Sequence, residues 1–213
     1  MSPPAPDDAP VPVARFVRFS SDGPPGALCA TLYTQGCPGR CPYCHSASLR
    51  AVRPGRMEWG TVESELAAWS GFVEMVVFSG GEPTLHPRLG AAMRRVRDLG
   101  FGVGLHTAGL FPGRLASVIR SVDWVGFDVK TRLDAAAYAG LLGLRDARTR
   151  VERSLAVLAA SGVPHELRMT MAPGLVREED ARRADDALLD FGLAPVRRQR
   201  WQPASGLSVE IPY

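Results

Sequence analysis

The sequence predicts an α/β protein, a partial (β/α)6 TIM-like barrel of parallel strands, with an open doubly wound sheet as the alternative arrangement. Three observations predict it. β-type and helical apolar periods alternate along most of the chain, which implies parallel pairing through right-handed crossovers. The 213 residues, 46% of them hydrophobic, support one large core but fall short of the ~250 typical of a complete eight-fold barrel. The polar, turn-rich motifs directly follow strands, at the carboxyl edge where both arrangements bind ligands.

Residues 1–12 hold five prolines and two aspartates and read as a disordered arm before a single domain over 13–213. Val13 to Phe19 reads as a short strand, Ser21-Asp-Gly-Pro-Pro-Gly26 as a turn, and Ala27 to Gln35 as the first barrel strand. Val62, Leu66 and Trp69 mark a helical face, and Phe72 to Phe78 a buried strand. Leu89, Met93, Val96 and Leu99 recur at helical spacing, followed by a strand over Phe101 to Thr107 and a helix carrying Leu115, Val118 and Ile119. Val122 to Val129 is the fourth core strand, with a short helix near Tyr138 after it. Val151, Leu155 and Leu158 mark another helix, and His165 to Met171 another strand. The last helix opens on Glu178-Glu179-Asp180, acids that suit the positive end of its dipole, and Val196 to Trp201 supplies the last strand.

A net charge of +3 with dispersed arginines gives no nucleic-acid surface. No apolar run approaches the ~20 residues that span a bilayer, so no membrane partner is expected. The start, Met1-Ser-Pro-Pro-Ala-Pro-Asp-Asp8, lacks the basic and apolar segments of a secretory leader, and a cytoplasmic, reducing compartment is expected. Three of the four cysteines fall within eight residues, unlike a disulfide framework. Only Lys130 among the 25 basic residues is lysine, in a chain without asparagine. Where arginine is the compositional default, a lone lysine marks a site needing a compact, flexible point charge.

The chemistry is concentrated in Cys37-Pro-Gly-Arg-Cys41-Pro-Tyr-Cys44. Three thiolates can hold three irons of a 4Fe-4S cluster and leave one iron open. By spacing alone, a Cys3His zinc site using His45 and a c-type haem attachment at Cys41-Pro-Tyr-Cys44-His45 remain open. Gly80-Gly81-Glu82 follows the second core strand, and paired glycines there leave main chain uncovered for a ligand. Asp128 and Lys130 share a strand face with Trp124 and Gly126, turned inward because Val125, Phe127 and Val129 suit the helix side. Gly102, Gly104 and His106 share a face too, so two absent side chains make room below an imidazole. Arg168 shares one with Glu166 and Thr170, and either clamps a ligand carboxylate or pairs with Glu166. Gln199 and Trp201 come from the last strand. His86 and His165 read as loop or surface residues, and Cys29 as a small buried one.

Together these residues resemble the radical S-adenosylmethionine (SAM) superfamily, which combines CxxxCxxC after the first strand with Gly-Gly-Glu-Pro after the second. Tyr33-Thr-Gln-Gly-Cys37, Phe78-Ser-Gly-Gly-Glu-Pro-Thr84, Leu105-His-Thr-Ala-Gly109, Asp123 to Lys130 and Gln199-Arg-Trp-Gln-Pro203 more narrowly resemble activating proteins of anaerobic ribonucleotide reductase. The resemblance implies a radical SAM type of barrel in which Cys37, Cys41 and Cys44 hold a 4Fe-4S cluster whose open iron takes SAM. It implies that Gly80, Gly81 and Glu82 support the SAM amino group and that Tyr43 lies near the adenine. Asp128, Lys130 and Arg168 are implied to contact the ribose or methionine portions, with His106 and Gln199 completing the cofactor site. Implied partners are an anaerobic ribonucleotide reductase, which would receive a glycyl radical, and a flavodoxin- or ferredoxin-like electron donor. A small-molecule radical SAM enzyme such as 7-carboxy-7-deazaguanine synthase, and a non-catalytic iron-sulfur or zinc module, are the competing readings. His106 stands where related activases often carry aspartate, which puts in doubt any cation site built on that residue.

Overall fold

The computed structural model describes residues 10–202. Its elements, in chain order, are β1 (Val13–Ser20), β2 (Cys29–Thr34), α1 (Trp59–Ala68), β3 (Met75–Gly80), α2 (Leu89–Asp98), β4 (Gly102–Thr107), α3 (Pro112–Val118), β5 (Trp124–Asp128), α4 (Ala135–Leu142), α5 (Ala147–Ser161), β6 (His165–Met171), α6 (Glu178–Leu189) and β7 (Arg197–Arg200). The sheet has the order β1-β2-β3-β4-β5-β6-β7. Strands β2 to β7 are parallel, and β1 lies antiparallel on β2. Among the described residues no pairing joins β1 to β7, so the sheet curves into a partial barrel without closing.

Side-chain alternation decides which face meets the helices. Val76, Phe78, Val103, Leu105, Val125, Phe127, Leu167 and Met169 are all buried and belong to one core with the helices. Each fully buried Leu or Phe side chain contributes roughly 1.5–3 kcal/mol, and this layer fixes the register that turns the opposite parity inward. α2 buries Leu89, Ala92, Met93 and Val96 along one face; of the residues read from the spacing, Leu99 falls just past the helix as its C-cap and is partly buried. At the start of α6, the Asp180 carboxylate accepts from the Arg177 amide at 2.9 Å and pairs with Arg132, closing the exposed first turn.

Most strands are one or two residues shorter at an end than the sequence reading has them, and three further differences concern packing. Val11 is buried and its carbonyl accepts from Trp59 Nε1 at 2.8 Å, so packing begins inside the segment assigned to the arm; residues 1–9 lie outside the described residues. β3 starts at Met75, because Trp69 to Phe72 form a turn through Gly71 and leave Phe72 exposed. His86 is buried beside the Pro83–Leu85 turn instead of lying on the surface.

Candidate active site

β2 delivers the cysteine loop. The Gly36 amide donates to Leu49 O at 2.7 Å and the Cys37 amide to Arg50 O at 3.0 Å, while Gln35 Nε2 donates to Ala51 O at 2.6 Å. These bonds hold the entry to the loop against the segment that follows it. Farther on, the Cys44 amide donates to Cys41 O at 3.2 Å, making a tight turn between those two cysteines. A Cβ placed on Gly39 would stand 3.6 Å from Cys37 Sγ and 3.9 Å from Cys41 Sγ, so the two sulfurs flank that glycine. Burial pushes the Cys37 thiol up to about 12 and raises that of Cys41 as well. Both thiols are therefore protonated before they take a metal, and a cation must displace their protons.

The glycine pair does something the sequence argument did not anticipate. A Cβ on Gly80, whose φ is +104°, would meet Thr34 N at 2.5 Å, and one on Gly81 would meet Gly36 O at 2.1 Å. The Gly81 amide donates to Thr34 O at 2.9 Å and the Glu82 amide to Gly36 O at 2.8 Å. The two glycines let the loop after β3 lie directly on the backbone that enters the cysteine loop, so much of the main chain they leave bare is taken by protein. Glu82 is also committed. Its buried carboxylate accepts from Thr84 N at 3.1 Å, Thr84 Oγ1 at 2.6 Å, Thr107 Oγ1 at 2.7 Å and Ala108 N at 2.8 Å. Burial raises its pKa and these four donors oppose that rise. The carboxylate ties the ends of β3 and β4 together.

Inside the barrel, Gly126 makes the space. A Cβ there would lie 2.8 Å from His106 Cδ2, 2.9 Å from Arg168 Cζ and 2.9 Å from Trp124 Cη2. Arg168 Nε donates to Asp128 Oδ1 at 3.0 Å, and Lys130 Nζ donates to Asp128 Oδ2 at 3.2 Å. Asp128, not Glu166, is thus the acid that holds Arg168; Glu166 pairs with Arg197 on β7. Burial alone would raise the Asp128 pKa, but Arg168 and Lys130 outweigh it and hold this carboxyl well below the usual range. Burial likewise opposes the charge on Lys130, and Asp128 overrides it, so the amine stays protonated.

His106 is neutral, since burial and then the Arg168 charge lower its pKa to about 4. Its Nε2 stands 2.6 Å from the Asp22 carbonyl oxygen and its Nδ1 3.1 Å from Ser79 Oγ. The shorter contact on Nε2 is to a carbonyl, which can only accept; it places the proton on Nε2 and makes Ser79 the donor to Nδ1, so that Arg168 Nη1, 3.1 Å from the same Nε2, makes no hydrogen bond to it. Asp22 reaches this position from the turn after β1, with its carboxylate accepting from Thr31 Oγ1 and Tyr33 OH, each at 3.2 Å. Tyr43 is buried; its hydroxyl donates to Lys130 O at 3.3 Å and its own carbonyl accepts from Trp201 Nε1 at 3.1 Å. His45 is exposed and turned toward Trp201, with ring centroids 6.4 Å apart.

One cavity of about 640 Å³ at the carboxyl ends of the strands takes in Cys37, Cys41, Tyr43, Cys44, Gly80, Gly81, Glu82, His106, Asp128, Lys130, Arg168 and Gln199. Every site residue read from the sequence lines it. Sequence reasoning missed Asp22, Ser79 and Arg197, which line it too. Ser79 shares strand parity with Met75 and Val77 and could have been found; Asp22 sits in a turn and carries no such signal. Among the described residues no three His, Cys, Asp or Glu side chains converge on one point as a mononuclear site requires. A cluster instead takes one thiolate per iron, which suits thiols spread around a loop.

The radical SAM superfamily profile matches residues 31–187, spanning both motif loops and strands β3 to β6. The chain belongs to the radical SAM superfamily. The cofactors of this family are a 4Fe-4S cluster and SAM. A protein of Methanocaldococcus jannaschii assigned provisionally as a glycyl-radical enzyme activating enzyme is 25% identical over 206 residues, 93% of this chain and 83% of that protein. The PqqA peptide cyclase of Methylorubrum extorquens is 31% identical over 161 residues, 72% of this radical SAM chain but 41% of the cyclase. The 7-carboxy-7-deazaguanine synthase of Thermococcus kodakarensis is 32% identical over 116 residues, 45% of this chain and 46% of that enzyme. Among solved folds, Streptococcus suis SuiB bound to S-adenosylmethionine superposes with a TM-score of 0.63 at 16% identity, over 81% of this chain and 40% of SuiB.

Proposed function

We propose that the chain is a glycyl radical enzyme activase that acts on an anaerobic ribonucleotide reductase. The observation that carries this reading is the relative from Methanocaldococcus jannaschii, whose likeness runs over 93% of this chain and 83% of its own length. The peptide cyclases, by contrast, extend well beyond the shared part.

Cys37, Cys41 and Cys44 would hold the cluster, which when bound would supply the electron for the reductive cleavage of SAM. The chain's own residues bind and orient. The Lys130 and Arg168 cations, both anchored on Asp128, would present hydrogen-bond donors to the carboxylate and ribose oxygens of bound SAM. Tyr43 fixes the position of Lys130 through its main chain and would lie beside the adenine of bound SAM. The Gly80-Gly81 loop offers main-chain groups to the SAM amino end, with Glu82 bracing that loop from beneath. His106 and Gln199 line the same cavity and would help to exclude water from bound SAM. The unpaired margin between β1 and β7 would admit a loop of a large protein.

A second reading, synthesis of a deazapurine by a radical SAM enzyme, is favoured by the likeness to the deazaguanine synthase over 116 residues. Anaerobic reconstitution with iron and sulfide, then addition of dithionite, SAM and the reductase, separates the two by electron paramagnetic resonance. A glycyl radical doublet on the reductase is expected. SAM cleavage without that doublet, accompanied by turnover of a reduced pterin carboxylate, would overturn the activase reading.

A further inference from the structure

Beside the active-site cavity, a second groove of about 460 Å³ lies between the loop entering α3 and the first turns of α5. Arg114, Arg150, Arg153 and a single acid, Asp146, line it together with Phe111. The Arg114 and Arg150 guanidinium carbons stand 5.0 and 6.0 Å from the Phe111 ring centroid. Arg150 is paired with Asp146 at 2.8 Å, whereas Arg114 is held by the Thr84 and Leu85 carbonyls, which neutralise nothing. Arg153 is exposed and forms no ion pair among the described residues. The groove therefore keeps an excess of positive charge.

Its position gives the charge a use. The groove and the active-site cavity share one lining residue, Leu110. Leu110 Cδ1 is 3.9 Å from the point where a Gly39 Cβ would stand, the same point that Cys37 Sγ and Cys41 Sγ flank. The wall is firmly held: Ser154 Oγ donates to Gly109 O at 2.7 Å, and the Gly109 amide donates to Thr107 Oγ1 at 3.0 Å. Leu110 thus stands between the groove and the part of the cysteine loop that Cys37 Sγ and Cys41 Sγ flank, so a molecule seated in the groove approaches that loop without entering the cavity.

We infer that this groove is the docking surface of an acidic one-electron carrier protein. A substrate must open onto the cavity, and Leu110 closes the groove to it; a carrier needs only to approach the cysteines. A cationic rim around an aromatic ring attracts an acidic partner and speeds encounter more than it tightens the complex. That suits an electron-transfer contact, which commonly buries less than about 1,200 Å². One electron leaves the carrier, which is oxidised, and enters the cysteine-held centre, which is reduced, with no bond or proton transferred. The inference rests on the proposed reductive cleavage of SAM at that centre.

The test uses cluster-loaded protein and a plant-type [2Fe-2S] ferredoxin of strongly negative charge. Binding is measured by anaerobic calorimetry at low and moderate salt, and cluster reduction by stopped flow. Arg153→Glu is expected to weaken ferredoxin binding roughly tenfold at low salt and to flatten its salt dependence. Arg153→Lys should bind as wild type, and Arg182→Glu, on the exposed side of α6, should have little effect. Dithionite, which needs no docking, should drive SAM cleavage equally in all four proteins. Unchanged ferredoxin binding in Arg153→Glu, or an equal loss in Arg182→Glu, would overturn the docking site. So would a loss confined to binding of the reductase, which would make the groove part of the substrate surface. If dithionite gives no SAM cleavage in the wild type, the catalytic reading falls, while the ferredoxin titration still decides whether the groove docks a carrier.

Discussion

His106 is the residue at which a chemical property and a structural duty meet. Its imidazole is neutral, donates to the Asp22 carbonyl and accepts from Ser79, which links the β1–β2 turn to β3 and β4 through one ring. A folded-state pKa of about 4 against an ordinary 6.5 means that unfolding takes up a proton at mildly acid pH. Stability is full above about pH 6.5 and is lost as pH falls toward 4, by roughly 3 kcal/mol in total. Chemical unfolding of His106→Gln should show a shallower loss between pH 7.5 and 5 than the wild type; parallel curves would mean that the ring titrates freely. Lys130 has a different kind of dependence. Its Nζ is held on Asp128 while its main chain is bracketed by Tyr43 and Tyr138, so a planar guanidinium in its place keeps the charge and loses the geometry. Lys130→Arg should fold normally and bind SAM about tenfold more weakly by equilibrium dialysis, and wild-type affinity would reduce the lone lysine to an accident of composition.

At the scale of elements, the coupling of the two motif loops matters more than either loop alone. The loop after β3 lies on the exit of β2 so closely that a methyl group on Gly81 would stand 2.1 Å from Gly36 O. Gly81→Ala must therefore shift the entry to the cysteine loop, and a cost of about 1–3 kcal/mol is expected with a lower iron content after reconstitution. Unchanged iron binding in that variant would show that the loops move independently. Strand parity was legible in the sequence because only one face of each strand is apolar: Val125 and Phe127 against helices leave Asp128 and Lys130 facing the cavity. The partners of those charges were not legible. Arg168 is two residues from Glu166 on its own strand, yet register with β5 sets it opposite Asp128, and register is a property of two strands. Glu82 was read as a ligand contact because its motif says so, whereas only the fold shows four protein donors already on its carboxylate.

For the whole molecule, the open question of a barrel against a doubly wound sheet was settled by strand order, which runs in sequence from β1 to β7 without reversal. Alternating periods give the strands and helices but not the order in which strands meet, so that choice could not be read from the chain. A sheet in sequential order curls so that its carboxyl ends surround one cavity, and the cysteine loop then closes part of the mouth. Loading that loop should bind the folded chain and not the unfolded one, and so raise its stability by mass action. The sign of its pH dependence follows from the thiols. Burial holds Cys37 at about 12 and raises Cys41, so cluster loading must release protons and is favoured as pH rises. Anaerobic thermal unfolding of loaded and metal-free protein should therefore show a larger gap in Tm at pH 8.5 than at pH 6.5. Cys37→Ala should abolish the gap at both values. A gap that shrinks with rising pH, or survives in Cys37→Ala, would mean that these buried thiols are not what holds the iron.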